Sequence, residues 1–185
     1  MLEQTASQTI GPYLCIGLIH GDAQNVLVND ATTGERITIT GVVSDGNGDP
    51  ITDAMVEIWQ ADANGIYNHP ADPLHEEADA HFRGFGRAEN PRVGVYEFKT
   101  IKPGGRDGQA PYINVHVFAR GILIHAMTRI YFADEPANDG DPVLRSIDAD
   151  RRRTLIASRE ESGDQVVYRF DIRMQGENET VFFNP

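Results

Sequence analysis

The stretch Ile37-Thr38-Ile39-Thr40-Gly41-Val42-Val43, then Asp45-Gly46-Asn47-Gly48-Asp49-Pro50, then Met55-Val56-Glu57-Ile58-Trp59-Gln60 decides the fold. Both apolar runs alternate with a period of two, which places successive side chains on opposite faces of a strand. The glycines between them allow the positive φ angles of a tight turn, so the runs read as adjacent strands. Asp62-Ala63-Asn64-Gly65 closes the second one. Residues 94–100, 112–118, 121–132 and 166–172 supply four more such runs, separated by turns rich in Gly, Asp, Asn and Pro. The pattern implies an all-β chain, a β-sandwich with long loops. A helix fits only at about residues 146–158, where Ile147, Leu155 and Ile156 face the core and Arg151, Arg152 and Arg153 stay in water. At most one or two short helices are expected.

Two segments are too long and polar for simple turns. One is residues 67–85, carrying His69, His75 and His81 among carboxylates; the other is an opening arm, residues 1–30. Such segments in a compact domain serve function or pack on a partner. At 185 residues the chain suits one domain spanning 1–185, with the arm packing on a partner. A lone Cys15 excludes an internal disulfide and fits a buried thiol in a reducing compartment. With 28 acidic and 16 basic residues the net charge is −12, which disfavours nucleic acid and anionic membrane as partners. No leader pattern is visible, and no run approaches the roughly 18 to 20 apolar residues of a membrane span, so a cytoplasmic chain is expected.

Nucleophile-elbow, phosphate-loop and dinucleotide fingerprints are absent, which removes the usual sequence support for hydrolysis and nucleotide chemistry. Asp45 to Asp49 lacks the glutamate a calcium loop needs and reads as a turn. Metal ligands on one strand sit at i and i+2, yet no His-X-His occurs. On residues 112–118, Tyr112, Asn114 and His116 share a face. His116 and His125 can meet across neighbouring strands, but without a clear third ligand they read as structural. Trp59, the single tryptophan, is a large core or interface residue. Arg120 interrupts an apolar junction and is either paired structurally or presented to an anionic ligand such as a carboxylate.

Five motifs in order, Thr9-Ile10-Gly11-Pro12-Tyr13, residues 57–67, residues 100–104, Ile130-Tyr131-Phe132 and Tyr168-Arg169-Phe170-Asp171-Ile172, resemble the intradiol ring-cleaving dioxygenases over nearly the whole chain. The resemblance implies a non-haem Fe(3+) site of two tyrosines and a His-X-His pair. Those positions fall on Tyr67, on Gly105 and Arg106 after the Lys102-Pro103-Gly104 turn, and on Tyr112 and Asn114. Only Tyr67 keeps its ligand type, and Arg106 brings a positive charge that opposes a trivalent cation.

The resemblance therefore implies a subunit with no metal and no catalytic residue of its own. Its homologous beta subunit would hold the Fe(3+), and αβ pairs would form a higher hetero-oligomer. Thr9, Gly11, Pro12, Tyr13 and Arg120 would line a substrate pocket where the subunits meet, with Gly11-Pro12 as a stiff, side-chain-poor wall. The implied reaction is cleavage of 3,4-dihydroxybenzoate by O2 to 3-carboxy-cis,cis-muconate, in aromatic compound catabolism by the beta-ketoadipate pathway. Two other readings compete: a self-sufficient enzyme with metal on Tyr67, His116 and His125, and a non-catalytic transthyretin-like binding module suggested by residues 41–50 and 54–58.

Overall fold

A computed structural model describes residues 4–11, 13–19, 24–89, 94–163 and 165–184. Alternation is most regular in β5 (Tyr112–Phe118), where Ile113, Val115 and Val117 are fully buried and Tyr112, Asn114, His116 and Phe118 are half-buried on the other face. The other strands are β1 (Arg36–Ser44), β2 (Met55–Trp59), β3 (Phe85–Glu89), β4 (Val95–Ile101), β6 (Ala126–Phe132), β7 (Ile156–Ser162), β8 (Gln165–Arg169) and β9 (Ile172–Arg173). They follow the order β3-β2-β5-β6-β7-β8-β1-β4, with β9 on β1. Parallel pairing of Tyr131 with Ile156 and Phe132 with Ala157 joins the two halves of this path. Its ends, β3 and β4, lie against each other. The all-β fold is thus a nearly closed, barrel-like sheet.

The main core takes residues from both halves, including Ile39, Ile58, Phe98, Val115, Ile130 and Tyr168. A smaller cluster of Ala110, Tyr131, Leu144 and Leu155 sits beside it. Gly41 is required for the closest approach, because a Cβ there would lie 1.8 Å from the Phe170 carbonyl oxygen.

Several expectations are corrected. β1 and β2 are not adjacent strands: β1 lies between β4 and β8, and β2 between β3 and β5. The Asp45 turn forms, with Asp45 Oδ1 accepting from the backbone N–H groups of Asn47 and Asp49. Residues 51–54 then carry the chain to the other half, since β1 already has both edges filled. Helices are more numerous than one or two, though none is long. They are α1 (Tyr13–Leu18), α2 (Pro142–Arg145), α3 (Ala149–Arg152) and three short 3-10 turns. The helix expected at 146–158 is shortened because Ile156 starts β7. Leu155 is fully buried as expected, with Ile147 and Ile156 packed beside it.

The opening arm also ends sooner than residue 30. Leu27 is buried, its N–H donates to the Lys99 carbonyl, and the N–H of Lys99 donates to the Asn25 carbonyl. Residues from Gln24 onward therefore belong to the barrel wall, because their backbone groups and Leu27 find partners there. Among the described residues, 4–11, exposed except for the half-buried Ile10, and α1 precede that wall. Pro12 and the Cys15 side chain lie outside the described residues. No helix among those described is long and apolar enough to cross a membrane.

Candidate functional site

Two turns create the site. Asp62 is buried and its Oδ1 accepts from the N–H groups of Asn64 and Ile66, while its carbonyl accepts from Gly65 and Gly104. A Cβ on Gly104 would lie 2.5 Å from the Ala63 oxygen and from the Gly65 nitrogen, so only glycine lets the two backbones touch. The second turn is Arg106-Asp107-Gly108-Gln109, closed by the Gln109 N–H donating to the Arg106 carbonyl at 2.9 Å. Both central residues have positive φ, 54° at Asp107 and 75° at Gly108, as a type I′ turn requires. The first turn delivers Tyr67 and the second delivers Arg106 to the mouth of one cavity of about 360 Å³.

Three of the four positions implied as degenerate ligands form a direct cluster there. The Tyr67 hydroxyl lies 3.5 Å from that of Tyr112 and 3.5 Å from Asn114 Nδ2, both at the long limit for hydrogen bonds. Arg106 is held aside by an ion pair to Asp72, with Asp107 3.4 Å from its Nε. Trp59 forms the aromatic wall, stacked on Tyr67 with ring centroids 5.4 Å apart and touched at its edge by His69.

Asp72 acts as the strut of this wall. It accepts from the backbone N–H groups of Leu74 and Tyr67 as well as from Arg106, and these bonds hold its carboxyl down at about 2. Burial first, and then the Tyr112 hydroxyl, push the Tyr67 phenol well above its ordinary range, with Arg129 pulling it partly back. The Arg129 guanidinium stacks 4.0 Å above the Tyr112 ring and donates to Gln109 Oε1 and the Tyr131 hydroxyl.

This donor set does not fit a ferric ion. Such an ion needs anionic or neutral lone-pair donors. The cluster instead offers two phenols and an amide with, close by, two guanidinium cations. No group of three or more His, Cys, Asp or Glu side chains converges among the described residues. His116 and His125 stack with centroids 4.8 Å apart, and Phe118 stacks on His125, so this pair is packed within the sheet face. His69 Nδ1 accepts from the Ala71 N–H and His75 Nδ1 lies 2.9 Å from the Asp72 carbonyl.

Of the residues expected to bind substrate, Thr9 and Arg120 come near each other elsewhere. Thr9 Oγ1 accepts from the Gly121 N–H at 2.8 Å, which ties the arm beside Arg120. Arg120 is 69% exposed and ion-paired to Asp53, so both uses considered for it from sequence remain chemically open. Gly11 meets nothing within 4 Å at its Cβ position, and Tyr13 is 79% exposed. Six residue steps of β5 separate Tyr112 from Phe118. At about 3.4 Å each, this puts Arg120 and Thr9 roughly 20 Å from the Tyr67 cluster.

Sequence reasoning missed Asp72, Gln109 and Arg129. Asp72 precedes Pro73, a turn-initiating pair that could have flagged it. Asp107-Gly108 is a hairpin dipeptide that would have brought Gln109 opposite Arg106. Arg129 needed the strand register, since Asn114 is its direct cross-strand neighbour.

The chain matches a family model described as dioxygenase over residues 10–176. It is 43% identical to the protocatechuate 3,4-dioxygenase alpha chain of Burkholderia cepacia, covering 99% of this chain and 98% of that one. It is 45% identical to the alpha chain of that name from Pseudomonas putida, over 100% of this chain and 98% of that one. A protocatechuate 3,4-dioxygenase beta chain of Burkholderia cepacia is 32% identical, over 94% of this chain and 77% of its own length.

Proposed function

The chain belongs to the intradiol ring-cleaving dioxygenase family, and from this premise we propose that it works as the alpha subunit of a protocatechuate 3,4-dioxygenase. Its partner is a homologous beta subunit, and the Fe(3+) belongs to that partner. The pair cleaves 3,4-dihydroxybenzoate with O2 to 3-carboxy-cis,cis-muconate, and αβ pairs assemble further. The existence of similar alpha and beta chains in one organism supports the pairing.

One observation carries the reading. The family's ligand positions hold Arg106, Tyr112 and Asn114 beside Tyr67, while the arm and Arg120 lie at the other end of β5. These two sets cannot serve one pocket in one chain. The exposed arm is free to line a pocket contributed by another subunit. There Gly11 gives a wall with no side chain, Thr9 is anchored to the loop beside Arg120, and Tyr13 presents an aromatic ring. Arg120 exchanges Asp53 for the substrate carboxylate, which orients the ring, and the arm excludes water.

Co-expression with the candidate beta chain tests this. O2 uptake on 3,4-dihydroxybenzoate is expected only from the co-purified complex; turnover by this chain alone contradicts the proposal.

A further inference from the structure

The cavity beside Tyr67 has no part in the reaction just proposed, yet it is built. Its 360 Å³ lies within the range of small-ligand pockets, roughly 300 to 1,000 Å³. Trp59, Pro73 and the Tyr67 ring give it flat apolar walls. Its charged lining residues are Arg106, Asp72 and Asp107, paired with one another, and its other polar side chains include His69, Gln109 and two tyrosines. The Tyr67 and Tyr112 hydroxyls have only 3.5 Å contacts, so neither makes a strong bond within the chain. Gln109 has its side-chain oxygen occupied by Arg129, which leaves the amide NH2 to offer. Arg129 is not in the lining: it stacks on the Tyr112 ring and donates to Gln109 and Tyr131, with no carboxylate in ion-pair range among the described residues. The Asp72 carboxylate is already taken by Arg106 and two backbone N–H groups. Flat walls, spare donors, lining carboxylates already engaged by Arg106, and the Arg129 guanidinium stacked on the Tyr112 ring together select a planar acceptor with negative charge.

We propose that this cavity is an iron-free binding site for a small aromatic carboxylate, whose ring lies against Trp59 and whose carboxylate accepts from the Tyr67 and Tyr112 hydroxyls. The proposal rests on the reading that the iron belongs to the partner. Each αβ pair then carries two sites for aromatic acids, one beside the metal and one without it. The second is a non-reactive site, because nothing in it activates a ring or O2.

The test is 19F NMR of 4-fluorobenzoate titrated into the co-purified iron-loaded complex. A ligand beside high-spin Fe(3+) gives a paramagnetically broadened resonance, whereas one in this cavity gives a narrow bound resonance. A narrow bound resonance is expected to weaken about tenfold or more in Tyr67→Phe/Tyr112→Phe, which removes both donors. It is expected to vanish in Asn114→Asp, which places a like charge beside the carboxylate. With the wild-type complex alone, benzamide should compete about tenfold less well than benzoate, so the claim is testable even where a variant does not fold. Absence of a narrow bound resonance, or equal competition by benzamide and benzoate, overturns the inference and leaves the subunit reading intact. A broadened resonance lost in Tyr67→Phe/Tyr112→Phe places the iron in this chain and overturns both.

Discussion

Replacing Arg120 by alanine in the assembled pair separates a substrate contact from a structural one. Arg120 is 69% exposed and its partner Asp53 is 33% exposed. An ion pair that open contributes less than about 1 kcal/mol to folding, so Arg120→Ala should leave the urea midpoint almost unchanged. If the guanidinium binds the substrate carboxylate, a charge-assisted hydrogen bond worth about 1.5 to 3 kcal/mol is lost. That corresponds to about a 10- to 150-fold fall in kcat/KM for 3,4-dihydroxybenzoate. Catechol has no carboxylate and should lose little. Because Asp53 competes for the same guanidinium, Asp53→Asn is expected to raise kcat/KM for the carboxylated substrate. Oxygen uptake with both substrates gives the ratio. Equal losses on 3,4-dihydroxybenzoate and catechol would refute the reasoning and leave Arg120 as a partner of Asp53 only.

Leu27→Ala removes the buried side chain that fixes the wall where the arm begins, and should cost about 2 to 5 kcal/mol in urea unfolding; a loss below 1 kcal/mol would mean the segment does not close the core. Gly104→Ala drives a Cβ into the backbone of Ala63 and Gly65, with no flexible atom to yield, so it should destabilise by about 1 to 3 kcal/mol; an unchanged midpoint would contradict the close approach. Burial, then His125, lower the His116 imidazole below its usual value, while Glu57, which is paired with Arg87, acts in the opposite sense. The folded state therefore binds this proton less tightly than the unfolded chain. The stabilisation is present above about pH 6.5 and is lost as pH falls toward the lowered value. Urea midpoints measured from pH 7.5 to 5 should fall less steeply for His116→Gln, and identical slopes would remove His116 as the cause.

What could be seen in sequence followed physical locality. β5 was legible because Ile113, Val115 and Val117 bury one face without interruption. β3 was hidden by Gly86 and two charged residues, although a Cβ at Gly86 would press on the buried Leu27 side chain at 2.6 Å. β7 was hidden because its later residues are charged and polar. The run expected at 121–132 starts as a strand only at Ala126, since Gly121 has positive φ and Leu123 and Ile124 stand exposed in the preceding loop. Pairing was least visible: β1 meets β8 through Ile37 and Val166, and local alternation carries no information about so distant a partner. At the site, the resemblance located Tyr67, Arg106, Tyr112 and Asn114. The groups that decide its chemistry become visible only when turns bring Asp72 and Gln109 to the cavity and strand register sets Arg129 on Tyr112 and Gln109.

Iron content and the visible tyrosinate-to-iron charge-transfer band, measured on the chain alone and on its co-purified complex with the beta partner, test the central claim most directly. The account predicts a colourless, iron-free single chain and about one iron per αβ pair in a coloured complex. Colour and stoichiometric iron in the chain alone would contradict it.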